Sequence, residues 1–126
     1  MFKYILFILM IATGTAGQLL LKIGVNSCTA RIGSVNSLTG AAHATFIFLG
    51  NPLIILALTF SVFGFLTYLL LLLKFDLSFI FPALALIYLS VLFFSWRLLR
   101  EEISLLRVIG TLIITVGVFA IFLTKK

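Results

Sequence analysis

Gln18 and Lys22 stand one helical turn apart in the stretch G-T-A-G-Q-L-L-L-K, residues 14–22, inside an otherwise apolar segment. A lysine is a compact cation with three donors, suited to a phosphate or a carboxylate, and a glutamine amide both donates and accepts. In a hydrocarbon layer neither group is solvated, so each needs a polar partner or a wet cavity. On a helix, positions 11, 14/15, 18 and 22 share one face. Gly14, Thr15, Gln18 and Lys22 therefore make one stripe of small and polar residues, flanked by Ala12, Thr13, Ala16 and Gly17. Small residues let another helix approach closely, and polar ones hydrogen-bond across the contact. The stripe predicts a packed or cavity-lining face with Lys22 at its mouth. A plainer reading stands beside this one. Lys22 snorkels its ammonium to the interface, and Gln18 makes a structural bond between helices.

Other reactive groups are sparse. Asp76, Glu101 and Glu102 all fall between the apolar segments. Export of cations coupled to protons or ions needs a carboxylate inside the membrane, and none is available. The single cysteine, Cys28, and the single histidine, His43, are both read as loop residues. One thiol forms no intrachain disulfide, and these residues make no metal set. Without a nucleophile–base pair, a metal set or a phosphate loop, the chain is read as a non-enzyme with no cofactor.

The elements that position these residues follow from composition. Hydrophobic residues make up 63% of the 126 and charged residues 10%, against about a quarter charged in soluble domains. Lipid is therefore the expected solvent. The net charge of +6 fits basic residues that flank membrane helices and meet anionic head groups, not a nucleic-acid surface. Four uncharged runs, Tyr4–Leu21, Pro52–Leu73, Leu77–Trp96 and Val108–Thr124, are each near the length of a membrane span. Backbone facing lipid must be helical or in a closed barrel, and the short alternating segments of a barrel are absent. The expected fold is an all-α integral membrane protein: one domain, a four-transmembrane-helix bundle with helices over about 4–24, 52–73, 77–97 and 105–124. A polar loop over 25–46 separates the first two, and its end, Ala41–Leu49, is a candidate interfacial helix.

Several residues punctuate these spans. Lys3, the apolar run Ile5–Ile11 and Gly14-Thr15-Ala16 imitate a signal peptide, but the run resumes at Leu19, so an uncleaved first helix is expected. Pro82, in F-I-F-P-A-L, frees a carbonyl and bends the third span, either as simple packing or as a hinge. Ser104 is a candidate N-cap for the fourth. Ser61, Gly64 and Tyr68 share a face of the second, suited to a cavity wall or to packing. Gly110 and Gly117 lie on one face of the fourth and could seat a second copy of that helix. Lys3, Lys74, Lys125 and Lys126 fall on one side of the membrane, and Lys22, Arg31, Arg97, Arg100 and Arg107 on the other. This balance permits insertion in either orientation.

The sequence also carries a resemblance. G-Q-L-L-L-K in the first segment, L-S-F-I-F-P-A-L-A-L in the third, and R-E-E-I-S-L-L-R-V-I-G-T-L-I-I-T-V-G-V before and within the fourth together resemble the drug/metabolite transporter superfamily. The nearest likeness is to small-multidrug-resistance-like and EamA-type proteins, over nearly the whole chain except 25–46. The cation exporters of that superfamily carry a glutamate eight residues before the lysine, where this chain has Gly14. The pattern Ala16, Gly17, Gln18, Lys22 instead resembles the four-helix flippase subunits for aminoarabinose linked to undecaprenyl phosphate, and Glu101, Ser104 and Gly110 fit their pattern before and within helix four. The resemblance implies a dimer, with itself or with a related four-helix subunit, in the cytoplasmic (inner) membrane. Gly110 and Gly117 would then be its interface.

Together these readings give a first expected function: a flippase for a polyprenyl-phosphate-linked sugar or similar anionic lipid. Gln18, Lys22, Thr15, Tyr68, Arg97 and Arg100 would contact the substrate. A small-metabolite or multidrug exporter of the same fold is the alternative. A non-transporting membrane subunit of a partner enzyme is the second.

Overall fold

The computed structural model describes residues 1–33 and 35–124. Lys125 and Lys126, counted above for orientation, lie outside them. Among the described residues the structure is helical: α1 (Phe2–Cys28), α2 (Leu38–Leu49), α3 (Pro52–Leu72), α4 (Leu77–Ala83), α5 (Ala85–Leu98) and α6 (Leu105–Leu123). Four helical stretches are long and apolar enough to cross a membrane: α1, α3, α4 with α5 as one span, and α6. This is the architecture of a multi-pass membrane protein.

The polar loop is shorter than the 25–46 expected. Residues 25–28 continue α1, and Cys28 is its buried last residue rather than a loop thiol. Two hydroxyls back-bond over the added turn. Ser27 donates to the Gly24 carbonyl at 2.7 Å, and Thr29 donates to the Val25 carbonyl at 3.1 Å. The second satisfies one of the carbonyls that a helix end leaves without partners. The short helix also begins earlier, at Leu38, because the Ser37 hydroxyl accepts the Gly40 N–H and caps it. It carries His43, which the sequence placed in a loop.

The third span is broken at Leu84, between α4 and α5. Pro82 has no N–H to give the Ser78 carbonyl, so the ladder fails one turn around it. Beyond the proline, Leu84 donates to Ile80 and Ile87 donates to Leu84. Ser104 precedes α6 in the extended conformation of a cap, but its side chain makes no capping bond. Only its carbonyl takes part, accepting from Arg107 and Val108.

The spans pack as an open row: α3, α1, α4 with α5, then α6. Each inner contact has a sequence cause. Thr13 and Gly14 on α1 oppose Gly64 on α3, Gly17 opposes Ala57 and Ser61, and Gly24 opposes Leu53 and Ile54. The two helices are therefore antiparallel and close along most of their length, as small residues permit. Gly14 also receives the Ile87 side chain of α5. Leu6, Met10, Leu71 and Ile80 form the buried core near the start of α1. Phe7, Phe75 and Phe79 tile beside it, with edge-to-face and stacked rings about 5–6 Å apart. At the other end of the row stands α6, of whose span only 6% is buried. Beside Gly110 and Gly117 there is open space.

Asn51 clasps the α1–α3 seam. Its amide oxygen accepts the Leu53 N–H, and Pro52 follows it at the first turn of α3. The same amide's NH₂ reaches the Ser27 hydroxyl and the Cys28 sulfur, both at 2.9 Å. Asn51→Ala removes a helix cap together with a tie between two helix ends. Losses of about 1 kcal/mol for each give an expected destabilisation of about 2 kcal/mol. Thermal unfolding in detergent micelles measures it, and an unchanged midpoint would mean that the clasp is not formed.

Candidate functional site

Where α1 ends and α5 ends, the chain gathers charge. The Lys22 ammonium lies 3.6 Å from the Glu101 carboxylate, with both side chains well exposed. The backbone after α5 brings Glu101 there. Arg100 adopts a left-handed conformation, with φ 52°, a position usually given to glycine after a helix and costing about 1 kcal/mol for another residue. The chain turns sharply through it, and the N–H groups of Leu99 and Glu101 both reach the Ser95 carbonyl. A hollow of about 530 Å³ opens beside this turn, lined by Arg97, Arg100, Glu101, Glu102 and the rings of Phe93 and Trp96.

The expected site residues divide between several places. Arg97 and Arg100 line one hollow, and Lys22 joins them through Glu101. Gln18 is exposed, one turn along α1 from Lys22, and makes no hydrogen bond among the described residues. Tyr68 belongs elsewhere: it packs on the Leu6–Met10–Leu71–Ile80 core, near the opposite end of α1. Its register follows from the antiparallel seam, which sets the end of α3 against the beginning of α1. Pro82 sits at the break in the third span, away from the charged turn. Gly110 and Gly117 lie on the open face of α6.

Thr15 differs from every other threonine in the spans. Thr13, Thr59, Thr67, Thr111 and Thr115 each return the hydroxyl to a carbonyl one turn back. Thr15 is only 5% exposed, yet its Oγ1 has no partner among the described residues. It lines a hollow of about 430 Å³ between α1 and α5, with Ile8, Ile11, Leu19, Ser90 and Phe94.

Sequence reasoning missed two features. One is Glu101 as the partner of Lys22. The other is Lys3, whose ammonium lies 5.4 Å from the centre of the Phe75 ring, a cation–π contact at the other membrane face. Nothing in the local spacing signals this contact, which joins residues far apart in sequence.

Chemically, the charged turn carries a small excess of positive charge: Lys22, Arg97 and Arg100 against Glu101 and Glu102. Arginine forks match phosphate oxygens in pairs. An exposed ion pair such as Lys22–Glu101 contributes only about 0–1 kcal/mol, so it does little to hold the lysine in place. Among the described residues no three His, Cys, Asp or Glu side chains gather as metal ligands. The chain matches no family model, no curated protein and no solved structure.

Proposed function

We propose that this protein moves a polyprenyl-phosphate-linked sugar, or a similar anionic lipid-linked substrate, across the cytoplasmic membrane. The observation that carries this reading is the meeting of a cationic mouth with apolar, membrane-level hollows at α5. Lys22, Arg97 and Arg100 supply charge for a phosphate, and the hollow between α1 and α5 offers Thr15 and Ser90 as its polar side chains among the described residues. A lipid tail stays in the bilayer while the head engages the mouth. The absence of any carboxylate within the spans favours an anionic cargo over a cationic one. Four spans in an open row enclose little volume, and a dimer, homomeric or with a related subunit, would complete the enclosure across the face of α6 that carries Gly110 and Gly117.

The test is reconstitution into unilamellar vesicles with a polyprenyl phosphate carrying a fluorescent head, followed by chemical quenching from outside. Protein-dependent loss of the protected inner pool supports the reading. A protected pool that persists at every protein density rules it out.

The Lys22–Glu101 pair favours a second reading. A lysine already paired is accounted for by structure alone, as in a small membrane subunit that steadies a partner enzyme. That reading expects stoichiometric co-purification with the partner and indifference to loss of the pair.

A further inference from the structure

The α5 side of the molecule carries more than one hollow, and neighbouring hollows share lining residues. At the beginning of α1 a hollow of about 510 Å³ is bordered by Lys3, Phe7, Phe79 and Phe122. It shares Ile8 and Ile11 with the Thr15 hollow. That one shares Ser90 and Phe94 with a hollow of about 580 Å³ between α5 and α6. This third hollow shares Phe93 and Trp96 with the arginine-lined mouth. Through these shared residues the hollows form a series with Lys3 at one end and Arg97 and Arg100 at the other. From Lys3 to Lys22, α1 rises about 28 Å, close to the roughly 30 Å of a hydrocarbon core. Helices α1 and α6 do not pack on each other, so the row opens sideways toward lipid.

Three features mark this groove as a route rather than a seam between helices. Cations stand at both ends, Lys3 at one and Arg97 with Arg100 at the other. Among the described residues no carboxylate lines the three inner hollows. Midway, the Thr15 hydroxyl is buried without a partner, although every other threonine of the spans has found a carbonyl. An unmade hydrogen bond in an apolar wall is costly; the oxygen is covered in this conformation, so a passing polar group would make the bond as α1 and α5 part.

We infer that the groove along α5, between α1 and α6, is the path by which the phosphate-bearing head crosses the membrane, with the Thr15 hydroxyl as its midway contact. This rests on the flippase reading above and gives it a route. The head leaves the Lys22–Arg97–Arg100 mouth, touches Thr15 and Ser90, and emerges beside Lys3, while its chain trails in lipid through the open side. The mouth sets affinity, and Thr15 sets the rate of crossing.

The test measures rate and affinity separately in vesicles holding the fluorescent polyprenyl phosphate. Thr15→Val is expected to slow crossing about fivefold, the effect of one neutral hydrogen bond, without changing equilibrium binding. Thr15→Ser keeps the hydroxyl and should keep the rate. Thr59→Val, at a back-bonded threonine on the outer side of α3, should match wild type. A polyprenyl phosphate with a benzophenone head should leave its adducts on Ile8, Ile11 or Leu19. An unchanged rate in Thr15→Val, or adducts confined to α3 while wild type still transports, would overturn the route and leave the flippase reading standing. No transport by wild type would overturn both.

Discussion

Lys22→Ala and Glu101→Gln are expected to move the affinity for polyprenyl phosphate in opposite directions. The two side chains form one ion pair, 3.6 Å apart and well exposed. If that pair serves only structure, removing either partner has the same small consequence, because an exposed pair contributes about 0–1 kcal/mol. A phosphate site breaks this symmetry. Lys22→Ala deletes a charge-assisted contact of about 3 kcal/mol, on the order of a hundredfold in affinity. Glu101→Gln frees the ammonium from its competitor, so binding tightens by about threefold. The double variant should bind as weakly as Lys22→Ala, since Glu101 acts through the lysine. Titration of a fluorescent polyprenyl phosphate into the protein in nanodiscs reads all three. Equal shifts in the same direction would place the pair in the subunit reading instead. Salt adds a second readout: the wild-type affinity should fall as ionic strength rises, and less steeply in Lys22→Ala.

How far the sequence discloses this arrangement depends on the range of the interaction. The spans are legible because lipid imposes one solution on long apolar runs, and the break at Leu84 is legible from Pro82. The extension of α1 through Cys28 is not. Val25-Asn26-Ser27 reads as loop by composition, and the tie of Ser27 and Cys28 to Asn51 joins residues far apart in sequence. The stripe Gly14, Thr15, Gln18, Lys22 holds three environments. Gly14 is covered by Ile87, Thr15 is buried beside a hollow, and Gln18 and Lys22 are exposed. Periodicity gives direction around one helix and says nothing about where a neighbour splays away. The same gap hides Lys22–Glu101, a contact between a helix and a distant turn whose geometry depends on a left-handed Arg100. Tyr68 is the same gap seen from the other side: the antiparallel register carries it to the opposite end of α1 from Lys22.

Gly24→Leu is the substitution expected to damage the fold most. Even a single methyl at position 24 would stand 2.6 Å from the Ile54 Cγ1, 3.3 Å from the Ile54 backbone nitrogen and 3.4 Å from the Leu53 Cβ. A flexible side-chain tip could retreat; the backbone of α3 cannot do so cheaply. Asn51 binds Ser27 and Cys28 of α1 just before α3 begins, so the two helices are pinned within a turn of the contact. A leucine must therefore force the seam open, at about 3 kcal/mol. Gly14→Ala provides the contrast. Its new methyl would stand 2.8 Å from the Ile87 Cδ1, the far end of a side chain that can turn aside, and a loss of no more than about 1 kcal/mol is expected. Gly117→Leu faces open space within one chain and should leave monomer stability unchanged, so any effect it has on sedimentation or cross-linking reports on a second copy at α6. Unfolding midpoints in micelles rank the three variants. The ranking has a further consequence for the Asn51 clasp. If the clasp is what prevents α3 from sliding, then in an Asn51→Ala background the added cost of Gly24→Leu should shrink, because the seam is free to relax. Additive losses in the double variant would mean that the small residues along α1 and α3, not the clasp, hold the register of the two helices.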